Sequence, residues 1–339
     1  MAMTHSGRCA AAYFLLLTVF VVLSANAQSV QSFALTSTND LQVSGGNAEV
    51  VEYQGRRAVR LTATKDGEVF AFIKGTQFQD GIIEADIATK ITAPPGVRMP
   101  GFTGIAFRAR PDASHYELLY LRPKNSLSED QAMRNHSVQY VAAPGFDWYK
   151  LRREWPWIYE CWADLQPDVW TKVKIEVHGR SARLYINGSD KPSLIVNDLK
   201  GEDLQGSIAL WGDFKEEAYF SNLKITPAKA EVIENNGEAV GTWGVKFASD
   251  YGSYDGSMDL HRESNAVTGT WSGDFGQNLS VRGTWRNGYV ELTFTGTWPQ
   301  GKPSPAVATL AGWIDGDSAK GRMRVETRAD GQWTATRKK

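Results

Sequence analysis

The sequence predicts an all-β protein: a two-sheet jelly-roll sandwich followed by an eight-stranded up-and-down β-barrel. Three observations predict it. Beyond residue 27, apolar side chains recur at period two and no stretch carries a convincing helical period. Gly, Asn and Asp separate these short runs, as turns between strands require. The triplet Gly-Thr-Trp returns at 241–243, 269–271, 283–285 and 296–298, with variants AGW at 311–313 and GQW at 331–333.

The first 27 residues stand apart. MAMTHSGR carries one arginine, AAYFLLLTVFVVLS is uninterruptedly apolar, and SANA places small residues ahead of Gln28. That layout predicts a secretory signal peptide over 1–27, cleaved near Ala27, and a secreted or periplasmic mature chain. The apolar core is too short to favour a membrane-spanning helix, so the mature form is expected off the membrane. Cys9 precedes the apolar run and cannot anchor a lipid. Its removal leaves Cys161 alone, so no intrachain disulfide is expected. The remaining chain of about 310 residues is long enough to rely on its core instead.

Charge excludes some partners. Past the leader, 36 basic residues face 38 acidic ones, which gives no reason to expect nucleic acid or an anionic membrane. His115, His136, His178 and His261 have no partners at metal-site spacing. No metal site and no cofactor is therefore expected; a structural calcium and the oligomeric state are left open.

Residues 28–227 form the expected sandwich. In TKVKIEVHG, Val173, Ile175 and Val177 share one face, against Lys172, Lys174, Glu176 and His178. ARLYINGSD follows, and Asn187-Gly188 signals a hairpin. GIIEADIAT, TGIAFRAR, YELLYLRP, SVQYVA, GSIALWGD and AYFSNLKI continue the pattern. At 228–238 alternation fades and charge rises, which marks a linker; 239–339 is the barrel.

The order of these runs resembles the concanavalin A-like lectin/glucanase superfamily, especially its laminin G-like and 3-keto-disaccharide hydrolase domains, over roughly 30–227. The resemblance implies a jelly roll whose concave sheet faces a glycan. Laminarinase-type members carry an E-x-D-x-x-E strand; here Glu84-Ala85-Asp86-Ile87-Ala88-Thr89 lacks the second glutamate. One strand therefore cannot supply both carboxylates of a retaining hydrolase.

The barrel strands explain their own spelling. In YVELTFTGTW, Val290, Leu292, Phe294, Gly296 and Trp298 share a face; in LSVRGTW, Leu279, Val281, Gly283 and Trp285 do. Glycine and tryptophan point inward together, the small residue making room for the large one. In a meander, Trp271 and Trp298 share one rim, and Trp243 and Trp285 the other. The Gly-Thr-Trp strands and the closing DGQWTATR resemble barrels of the avidin or lipocalin type. The tryptophan layers either plug the barrel or floor a small-ligand pocket.

One stretch is unlike a strand or a solvated loop. RNHSVQYVAAPGFDWYKLRREWPWIYECW, 134–162, combines a strand with the start of an insertion at 143–168 rich in tryptophan and arginine. Such rings gain too much from burial to stay mobile, so the insertion should fold onto the sandwich. Rings that stack on sugar faces, beside side chains that bond hydroxyls, make a glycan site. Arg122, Asn125, Arg134, Asn135, His136, Gln139, Tyr140, Trp148, Tyr149, Arg152 and Trp155 are the candidate ligand contacts. Arg108 and Glu117, on neighbouring strands, join them. Tyr116-Glu117 also matches a concave-face glutamate of the 3-keto-disaccharide hydrolase-like domains, which makes Glu117 the candidate catalytic residue. The alternative is structural: tryptophans capping a sheet edge, and arginines paired with Asp147, Glu154, Glu160 and Asp164.

Three functions follow. The first is an exported glycan-binding protein, with carbohydrate as its partner. The second is a glycoside or 3-keto-glycoside hydrolase using Glu117 as acid or base. The third is a small-ligand carrier acting through the barrel.

Overall fold

The computed structural model describes Met1 and residues 29–339 apart from 65, 66, 95, 235, 236 and 327; the expected signal peptide and its cleavage point lie outside the described residues. One sheet of the sandwich runs, in spatial order, Leu194–Val196, Ser181–Ile186, Thr171–His178, Gly81–Ile91, Glu216–Pro227, Arg56–Ala63 and Gly46–Tyr53, with Gln31–Phe33 also paired to Glu216–Pro227. The second runs Glu160–Cys161, Val138–Ala143, Tyr116–Leu121, Thr103–Ala109, Ser207–Gly212, Val69–Ile73 and Leu41–Ser44. Val173, Ile175 and Val177 point into the core, and the alternating lysines and glutamate point away from it, as the pleat demands. They meet Ile105, Phe107, Leu119, Leu121 and Leu210 of the second sheet. Glu84 and Asp86 lie on the first sheet's outward face, engaged by Lys172, Lys224 and Arg56.

The C-terminal strands close a barrel: Gly241–Ser249, Gly252–Glu263, Ala266–Gly273, Gly276–Arg286, Tyr289–Thr297, Pro305–Asp315, Ser318–Val325 and Ala329–Arg337 pair in sequence order, and the last returns to the first. The tryptophans form the two expected groups. Trp271 and Trp298 both pack on Phe275, while Trp243 and Trp285 bond the carbonyls of Ala239 and Gly237. Buried Trp243, Phe247, Trp271, Phe294 and Trp333 occupy the interior. The space for Trp271 comes from Gly256, on a neighbouring strand, where a Cβ would fall 2.2 Å from the indole.

One variant triplet faces the other way. Alternation along Pro305–Asp315 turns Ala308, Leu310 and Ile314 inward, so Ala311 and Trp313 of AGW face outward and join the sandwich core. Trp313 Nε1 donates to the Leu199 carbonyl at 2.8 Å, and the Arg180 guanidinium lies 3.6 Å from its ring centroid. Tyr289, beside it, packs on Phe146 and lies 2.9 Å from Lys200 Nζ. The barrel thus seals one end of the sandwich.

Short helices also break the all-strand expectation: Pro123–Ser126, Gln131–Arg134 and Trp148–Glu154. Each is a turn or two long, too brief to show a periodicity. The last is capped by Asp147, whose carboxylate accepts from Lys150 N at 2.8 Å.

Candidate functional site

The outward face of the second sheet carries a groove floored by aromatic side chains. Register places Phe70, Trp211, Gly104, Tyr120 and Gln139 in one row across five strands. Phe72, Ala209, Ala106, Leu118 and Val141 form the next row. Large residues flank small ones, so the middle of the face is hollow. Gly104 is required there, since a Cβ would fall 2.5 Å from that of Tyr120. Tyr116 leans inward, its ring 5.2 Å from Phe70 and its hydroxyl 3.2 Å from Glu68 Oε1.

Over this floor lies a cleft of about 400 Å³, lined by Glu68, Phe102, Tyr116, Leu118, Tyr120, Val141, Asp147, Trp148, Trp211 and Asp213 among others. A smaller compartment of about 230 Å³ adjoins it through Phe102 and Trp148, and is lined also by Arg98, Pro100, Arg122, Asn125, Met133 and Arg152. The insertion supplies the wall. Its helix buries Leu151 and leaves Trp148 47% exposed, with the Arg152 guanidinium 4.9 Å from the indole centroid.

The two ends differ in charge. At one, the pairing of Trp211 with Phe70 and Gly212 with Val69 brings Asp213 opposite Glu68, both on the groove side of the pleat. Glu68 accepts from Trp211 Nε1 at 3.0 Å. Loss of water raises its pKa against these two donors, although the residue keeps an exposed edge. Burial, together with the charge of Glu68, pushes Asp213 up to about 6. At the other end Arg122 Nη2 donates to the Tyr120 hydroxyl at 2.6 Å and to Gln139 Oε1 at 3.0 Å. Arg152 pairs with Glu160 at 2.6 Å, and His136 Nδ1 lies 2.8 Å from the same carboxylate. Burial holds the His136 imidazole below its usual range, with Glu160 opposing.

The expected contacts divide into three groups. Arg122, Asn125, Trp148 and Arg152 line the groove directly, and Gln139 and His136 lie in the polar network beneath it. Arg134, Asn135 and Tyr149 belong to the rim: Arg134 lies over Trp162, Asn135 caps the Gln131–Arg134 helix, and Tyr149 is exposed under Arg153. The consecutive polar residues 134–136 are thus explained largely by a helix end.

Arg108, Glu117, Tyr140 and Trp155 are elsewhere, which corrects their expected placement. Glu117 points between the sheets, 1% exposed; it accepts from the Tyr140 hydroxyl and from Gly201 N at 3.1 Å. Burial raises its pKa, opposed by Arg108 and those donors. It has no surface for a substrate, because alternation assigns the groove to Tyr116, Leu118 and Tyr120. A bulge with Arg108 at φ 51° turns that guanidinium inward to Asp80 at 2.8 Å. Trp155 is buried near Lys200 and Arg324, toward the barrel.

Sequence reasoning missed Glu68, Phe102, Tyr120, Trp211 and Asp213. Period two puts Glu68 with Phe70 and Asp213 with Trp211. Nothing in the chain, however, announces that strands 140 residues apart are neighbours.

No protein-family model matches this chain, and no curated protein matches it. Solved structures with partial likeness include the carbohydrate-binding module CBM66 from Bacillus subtilis, at 17% identity over 55% of this chain and 97% of that one, TM-score 0.39. A galectin-like protein from Bacillus subtilis aligns at 16% identity over 59% and 96%, TM-score 0.42. The exoplasmic/lumenal domain of VIP36, bound to Ca²⁺ and Man3GlcNAc, aligns at 13% over 60% and 92%, TM-score 0.42. Likenesses of this degree carry no argument about a ligand, which has to come from the groove itself.

Proposed function

We propose that this is an exported carbohydrate-binding protein whose groove on the second sheet holds a saccharide against Trp148. One observation carries the reading: a half-exposed indole stands over an aromatic-lined cleft, with carboxylates at one end and guanidiniums at the other. A pyranose offers an apolar face to a ring and hydroxyls to charged acceptors and donors, so it matches both features at once. Glu68 and Asp213 accept hydroxyls, and Arg152 donates to them.

Binding is favoured over hydrolysis by Glu117, since that carboxylate is enclosed by Tyr140 and the Lys200–Gly201 turn. It is favoured over transport by the barrel, whose interior holds its own rings. A glycan array tests the proposal. Retention of at least one saccharide is expected, with loss of about tenfold or more in affinity for Trp148→Ala at an unchanged circular dichroism spectrum. Retention unaffected by Trp148→Ala removes the groove from the account.

A further inference from the structure

We propose that the groove selects acidic saccharides, seating a ligand carboxylate or sulfate in the compartment lined by Arg98, Arg122 and Arg152. The inference rests on the carbohydrate reading above and deepens it. Arg122 is 4% exposed, yet among the described residues its acceptors are all neutral: the Tyr120 hydroxyl, Gln139 Oε1 and, at 3.2 Å, the His136 carbonyl. Its Nε is buried without a hydrogen-bond partner among the described residues. Glu160, the carboxylate of this network, is engaged by Arg152 and His136. A buried guanidinium without a carboxylate is costly, and an anion seated beside it offsets that cost.

The compartment supports this independently of Arg122. Arg98 is exposed at its mouth and has no ion-pair partner among the described residues. Three guanidiniums therefore line a cavity of about 230 Å³ whose lining includes no carboxylate. Asn125 adds a polar group, while Phe102 and Trp148 continue the wall into the larger cleft. A sugar ring stacked on Trp148 can thus extend an acidic substituent toward the arginines, and a planar fork favours a carboxylate. At the opposite end, Glu68 and Asp213 repel a second anionic group, which fixes the ligand's direction.

The test is titration of the intact protein with oligouronates, each paired with its carboxyl-reduced neutral counterpart, and with a sulfated oligosaccharide of equal length. Expected is at least tenfold tighter binding of an acidic member than of its neutral partner, an advantage that shrinks between 50 and 500 mM NaCl. Preference for the uronate or for the sulfate ester identifies the anion. Arg98→Gln, a surface change that leaves the fold intact, should lower the acid-to-neutral ratio at least threefold, whereas Lys246→Gln on the barrel should not change it. Equal or tighter binding of the neutral members overturns this inference and leaves the carbohydrate reading standing. Absence of binding by every member, alongside an empty glycan array, overturns both.

Discussion

Side-chain direction decides roles in this molecule more than residue type does. Glu117 and Tyr116 are adjacent in sequence, yet one is enclosed between the sheets and the other looks into the groove. Glu117→Gln preserves the shape and the contacts to Tyr140 and Gly201, so saccharide retention should persist. Glu117→Ala leaves the Tyr140 hydroxyl and Gly201 N without their acceptor and should cost about 2–4 kcal/mol in denaturant unfolding. Asp213 follows a different rule. Its carboxyl titrates near 6 when folded against 3.8 ordinarily, so folding gains from its proton below pH 4 and loses that gain as pH rises through 6. Asp213→Asn should therefore stabilise the protein at pH 7, by about 1 kcal/mol once screening by water is allowed for, and not at pH 4. Thermal melts at the two pH values check this, and a gain independent of pH would contradict it.

At the scale of elements, strands were legible and their partners were not. Period two revealed the inward faces of Thr171–His178 and of the barrel strands, because one face of each must be buried. The groove depends instead on long-range register, such as Trp211 opposite Phe70, and on a glycine, Gly104, whose role appears only when Tyr120 lies beside it. The Trp148–Glu154 helix escaped notice for another reason: seven residues with one buried side chain, Leu151, leave no stripe to detect. Leu151→Ala should destabilise by about 2–4 kcal/mol and loosen the Trp148 wall. In the barrel, Gly256→Ala should clash with the Trp271 indole and cost at least about 1–3 kcal/mol, read as a lowered melting temperature.

For the whole molecule, the sandwich and the barrel are joined by buried polar contacts rather than by a bare linker. Lys200 is fully enclosed, 2.8 Å from Asp198 and 2.9 Å from the Tyr289 hydroxyl. Burial alone would lower its pKa, but Asp198 and Tyr159 outweigh burial and hold the ammonium above its usual range. The AGW triplet is spelled like its inward-facing relatives, but alternation places Trp313 on the outer wall, where it meets Leu199 and Arg180. Unfolding should therefore be a single cooperative transition. Trp313→Ala should separate it into two, measured by calorimetry.

The claim on which the account turns is that a saccharide lies against Trp148 over the second sheet. Indole N–H resonances of the intact protein, followed during titration with a saccharide retained on the array, test it most directly. Shifts confined to Trp148 and Trp211, with Trp243, Trp271 and Trp298 unmoved, are the result predicted. Shifts among the barrel tryptophans with Trp148 silent would contradict it.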